Sequence, residues 1–147
     1  MSILEGLKKA AVEAAKARDQ VKLDAIRMAT SAIHYREIEK RSPLSETEEK
    51  SVLQSMCKQR REAIEQFEKG GRADLVAKET REIETLLAFL PRQLTREQVA
   101  EKARAVIQSL GVSSPRDMGK VMKALTPELA GQADGATISA VVRELLK

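Results

Sequence analysis

Two adjacent glycines, Gly70 and Gly71, separate two long stretches that both repeat apolar residues at helical spacing. Upstream, Leu53, Met56, Ala63, Ile64 and Phe67 mark one face, with Val52 and Cys57 flanking it, and predict a helix over 46–69. Downstream, Val76, Ile83, Leu86, Leu87 and Leu90 mark the face of a second helix, predicted over 72–90. The glycine pair stops the first helix and permits a tight reversal. So short a turn leaves the two helices one arrangement, an antiparallel hairpin. Arg60 falls inside the apolar stripe, where a cation is unusual. Reflecting positions about Gly71 puts it opposite Glu82, with Glu79 one turn away. Arg60 is expected to pair with one of these carboxylates as a structural ion pair.

Capping patterns place the other helices. Ser2 and Glu5 form the S-x-x-E box, as do Ser45 and Glu48, while Thr95 and Gln98 form the equivalent pair with glutamine. The first box opens a helix predicted over 3–18, whose stripe is Leu4, Leu7, Ala11 and Ala14. Asp19 caps a second helix over 20–41, with Leu23, Ile26, Ala29, Thr30, Ile33 and, more loosely, Ile38 on its buried face. His34 and Tyr35 lie on this helix and read as packing or surface residues. Ser42-Pro43 breaks the chain before the hairpin, and Leu90-Pro91 ends the hairpin. The expected division is an N-terminal four-helix domain over 1–92 and a small three-helix module over 93–147.

Helix formers dominate almost everywhere, and the aromatics are only Tyr35, Phe67 and Phe89. The core must therefore be aliphatic and the fold all-α. One cysteine, Cys57, excludes an internal disulfide, and a single histidine leaves a zinc site without ligands. No apolar run reaches membrane-spanning length and no leader pattern is evident, which points to a cytoplasmic protein. The net charge of +4 divides evenly on either side of Leu94. Such a mild excess permits nucleic-acid binding without demanding it.

In the C-terminal module a helix over 95–110 ends at Gly111. Ser114 then caps a helix predicted over 115–125, with Pro115 at its first position and Asp117 at N3. Met118, Val121, Met122 and Leu125 form its apolar face, while Arg116, Lys120 and Lys123 gather on the other side. Gly119 sits inside this helix, where glycine costs up to about 1 kcal/mol relative to alanine. Either a neighbouring helix packs closely at Gly119 while the cations are merely solvated, or the basic face and its glycine admit a ligand. Thr126-Pro127 is expected to perturb or end the helix, and Asp134 to cap a last helix over 135–146.

No catalytic constellation stands out. There is no Walker A loop, no G-x-G-x-x-G, no H-E-x-x-H and no G-x-S-x-G. Carboxylates alternate with Lys and Arg as helix-surface pairs do, so the residues themselves name no catalytic group, no metal ligand and no cofactor.

Several stretches together carry a resemblance. Ile26-Arg27-Met28, KQRREAIEQFEKGGRADLV from Lys58 to Val76, LPRQL from Leu90 to Leu94, and DMGKVMK followed by GQADG resemble the YqeY family of small bacterial proteins. The resemblance implies an N-terminal helical domain followed by a module similar to the tail domain of the GatB subunit of glutamine-dependent tRNA amidotransferase. It implies a tRNA-binding or amidotransferase-related accessory role, with Met118, Gly119, Lys120, Val121, Met122, Lys123, Gly131, Ala133 and Asp134 at tail-like positions. Lys120 and Lys123, joined by Arg116 and Gly119, are the RNA-binding candidates. Gln132 departs from the tail pattern, where a basic residue is expected, and so does Thr126-Pro127.

With so few aromatics, base stacking is disfavoured, and recognition would follow the backbone and shape of structured RNA. Two alternatives stand beside this reading. One is a protein–protein interaction module that docks through the hairpin or the tail. The other is an amidotransferase-like carbon–nitrogen ligase that uses glutamine as amido donor.

Overall fold

A computed structural model describes residues 2–147, and the described chain is all-α. Its helices are α1 (Ile3–Lys16), α2 (Gln20–Lys40), α3 (Glu46–Lys69), α4 (Ala73–Leu87), α5 (Arg96–Leu110), α6 (Met118–Glu128) and α7 (Gly135–Leu145). A 3-10 turn over Pro115–Asp117 leads into α6. The chain divides into two compact units, Met1–Pro91 and Arg92–Lys147.

Local chemistry explains where the helices begin. All three capping boxes form, at Ser2/Glu5, Ser45/Glu48 and Thr95/Gln98. In each, the hydroxyl accepts from the backbone three residues on, and the longer side chain accepts from the capping residue's own N–H. Asp19 accepts from Lys22 N and Asp134 from Thr137 N, so α2 and α7 start where an aspartate supplies the first acceptor.

The ends differ more from expectation. α1 stops at Lys16, and Arg18 takes a left-handed conformation at φ 56°. α2 stops at Lys40, with Arg41 left-handed at φ 64°, although glycine is the usual occupant of such a cap. α4 covers only Ala73–Leu87, and Phe89 N and Leu90 N bond three residues back in a tightening last turn. Pro127 does not end α6, which continues to Glu128. Leu125 and Leu129 are both fully buried on either side of the proline, and Leu129 N still bonds to Leu125 O. Burial of these two leucines holds the turn together, at the cost of the one donor that Pro127 lacks.

In the first unit, Leu7, Ile26, Ile33, Leu53, Cys57 and Leu86 form an aliphatic core among α1–α4. α3 and α4 pack as the expected hairpin, and α2 packs against both of them and against α1. Ile38 is not part of this core. It is 74% exposed, as is Tyr35 at 65%. The second unit buries Val99, Ala103, Val121, Leu125, Leu129, Ile138, Val141, Val142 and Leu146 among α5–α7. The segment that enters it is tied down by Leu94 N to Gln132 O at 2.9 Å and Gln93 Nε2 to Gly131 O at 2.7 Å. Gly131 is buried and left-handed at φ 80°, so a side chain there would be strained.

Candidate nucleic-acid interface

α6 is amphipathic, and the burial of Val121 and Leu125 decides which side faces out. Met118 and Met122 pack partly against the same core. Arg116, Gly119, Lys120 and Lys123 are all exposed. Arg116 lies in the 3-10 turn, which advances by about 120° per residue, rather than in the α-helix proper, which advances by about 100°. That rotates it toward Gly119, and the four positions fall within an arc of about 100°. The structure thus brings the four residues to one side of α6 and the turn that leads into it.

Among the described residues, Arg116, Lys120 and Lys123 make no ion pair. Lys8, Lys9, Lys102 and Arg104, exposed elsewhere, make none either, whereas Arg96 meets Glu144 at 2.6 Å, Lys40 meets Glu48 at 2.6 Å and Arg72 meets Asp74 at 3.1 Å. The α6 cations therefore keep their full donor capacity toward solvent or a ligand.

Gly119 does not serve close packing within the fold. A Cβ added there would meet nothing within 4 Å, and its φ is not in the left-handed region. A tight helix–helix approach at this glycine is thereby overturned. Gln132, where a basic residue was expected, is half-buried, and its carbonyl accepts from Leu94 N.

Ionisable groups in the first unit are used differently. Arg60 and Glu82 are buried and joined at 3.0 Å, with Glu79 at 3.9 Å from the same Nε. Arg60 also donates to Met56 O and, weakly, to Met28 Sδ. Burial, and then the charge of Glu82, push the Glu79 carboxyl above its ordinary value, while Arg60 and Lys78 oppose the rise. Cys57 is buried, and burial raises its thiol against the opposing pull of Arg61 and Arg60. A protonated thiol in the core is a poor nucleophile. Among the described residues no cluster of His, Cys, Asp and Glu could hold a metal ion, and no helix is long and apolar enough to cross a membrane.

Two features escaped the sequence reading. Glu49, almost wholly buried, reaches from α3 to accept from Leu4 N at 2.8 Å in the first turn of α1. An open groove of about 360 Å³ runs between α2 and α3, lined by Ala32, Tyr35, Arg36, Val52, Met56 and Gln59 among others. Tyr35 is exposed, as are Met28 and Ile38, and the three lie on the side of α2 turned away from Ile26 and Ile33. Their spacing of seven and three residues was a readable signal of a second apolar face.

The family model described as Yqey-like protein matches residues 4–146, nearly the whole chain. A protein of Schizosaccharomyces pombe, described as uncharacterized, is 32% identical over 85 residues, which cover 58% of this chain and 69% of that protein.

Proposed function

The chain belongs to the YqeY-like family, and from that premise we propose that it is a tRNA-binding accessory protein related to the GatB tail, acting through the exposed face of α6. The observation that carries this reading is the gathering of three exposed cations, Arg116, Lys120 and Lys123, on the side of α6 turned away from its core, where none is held in an ion pair. Cations held ready on a rigid helix meet phosphates without first giving up a carboxylate partner. The near absence of aromatics fits a ligand gripped by its backbone rather than by stacked bases. In such a role the protein positions RNA and leaves chemistry to another component. The work is expected to take place in the cytoplasm.

The test is binding of the purified protein to bulk tRNA across a salt titration, followed by fluorescence anisotropy. Log affinity is expected to fall linearly with log salt, since each phosphate contact releases counterions. Absence of binding even at low salt overturns the reading.

A second reading, a protein-docking module, is favoured by the α2–α3 groove, which Tyr35 lines, and by the exposed Met28 and Ile38 on the same helix. Apolar docking would be nearly indifferent to salt, so the same titration separates the two.

A further inference from the structure

An exposed helical glycine that the fold does not need calls for another explanation. Gly119 has an ordinary helical backbone, its side is open, and no atom outside its own stretch of helix would resist a methyl group. Alanine there would favour the helix, so stability alone selects against glycine. What glycine offers is access to the backbone. A helical side chain leans over the turn that precedes it. Gly119 therefore leaves uncovered the turn containing Pro115 and Arg116, at one edge of the basic face. Pro115 O accepts from Met118 N, and a carbonyl oxygen keeps a second lone pair after one such bond.

Resting on the RNA reading above, we propose that Gly119 is the point at which the protein distinguishes RNA from DNA. A ribose–phosphate strand lies against the bare backbone of the first α6 turn, and a 2′-hydroxyl donates to a carbonyl oxygen of the Pro115–Asp117 turn. Arg116, Lys120 and Lys123 hold the flanking phosphates. Deoxyribose has no 2′-hydroxyl to donate, and a Cβ at 119 would hold any strand away from the carbonyls. The ligand class is thus a ribose backbone in a structured RNA, and the cations alone would not tell it from DNA.

The experiment compares a labelled RNA stem-loop with the DNA stem-loop of identical sequence, for the wild-type protein and for Gly119→Ala. The wild type is expected to favour the RNA by on the order of tenfold, the free energy of one good hydrogen bond. Gly119→Ala is expected to melt at the same temperature or a few degrees higher, to lose that preference, and to keep the wild-type salt slope. Retention of the RNA preference by Gly119→Ala overturns the proposal while leaving RNA binding intact. Equal wild-type binding to RNA and DNA overturns it as well. If the wild type binds neither probe at low salt, the failure belongs to the RNA reading itself, and this inference falls with it.

Discussion

Arg60 Nε donates to Glu82 Oε2 at 3.0 Å, and both side chains are buried between the arms of the helical hairpin. Each residue lies eleven positions from Gly71, so the pair marks the register of α3 against α4. Removing one partner leaves the other charge buried alone, which costs about 3–5 kcal/mol. Arg60→Met is therefore expected to lower stability by that amount in urea unfolding. The double variant Arg60→Met, Glu82→Leu is expected to recover most of it, because an apolar pair of similar size suits this core. A double variant as unstable as the single would mean that the ion pair itself supplies the stability.

Glu79 beside this pair makes stability depend on pH. Its folded carboxyl is raised above the ordinary value of 4.5, first by burial and then by the charge of Glu82. The folded state then holds the proton more tightly than the unfolded chain does. That contribution is fully present below the unfolded value and is lost as pH rises through the folded one. Glu79→Gln removes the titrating group. Its stability relative to wild type is expected to improve steadily from acid to neutral pH, read from urea midpoints at a series of pH values. A constant difference would show that Glu79 does not titrate differently in the two states.

Adjacent glutamates on α3 have unequal work. Glu48 completes a solvent-exposed capping box and meets Lys40 at 2.6 Å. Glu49 is buried and caps a different helix at Leu4 N. A buried charge-assisted bond at a helix N-terminus is worth more than an exposed one. Glu49→Ala is expected to cost about 2 kcal/mol and Glu48→Ala about 0.5–1 kcal/mol, by thermal or urea unfolding. The reverse order would contradict this assignment of roles.

These features differ in how legible they were. The limits of α3 follow from Ser45 at one end and the glycine pair at the other, both local signals. The Arg60–Glu82 contact needed only the glycine hinge and counting. Glu49 was invisible because its partner lies 45 residues away, and in isolation it reads as one more acid in a first turn. Pro127 misled for a related reason: a local helix breaker was outweighed by burial of Leu125 and Leu129, which the tertiary fold decides. At the candidate interface, the shared side of Arg116, Lys120 and Lys123 was readable from their spacing. The open space around Gly119 was not, since it depends on where the neighbouring helices lie.

Cys57 offers a probe of opening in the first unit. Its thiol is buried and raised by that burial, so the reactive thiolate is scarce in the native state. A thiol reagent is expected to modify it slowly in buffer and rapidly in denaturing urea. Fast modification of the native protein would mean that α3 separates easily from its neighbours. Arg60→Met should accelerate labelling, because loosening the hairpin raises the population of open states.

The cations of α6 permit a quantitative test. If Lys120 and Lys123 each neutralise one phosphate, the double alanine variant should bind bulk tRNA more weakly. Its slope of log affinity against log salt should shrink by roughly one unit, or slightly less, per lysine. Removing two cations anywhere also lowers the net charge of +4, so a matched control is needed. Lys8 and Lys9 on α1 are exposed and in the other unit, and their double alanine variant carries the same charge change. Direct contacts predict a slope change for the α6 pair alone. A general attraction between a basic protein and a polyanion predicts equal, small effects for both pairs, and that result would remove α6 as the site of contact.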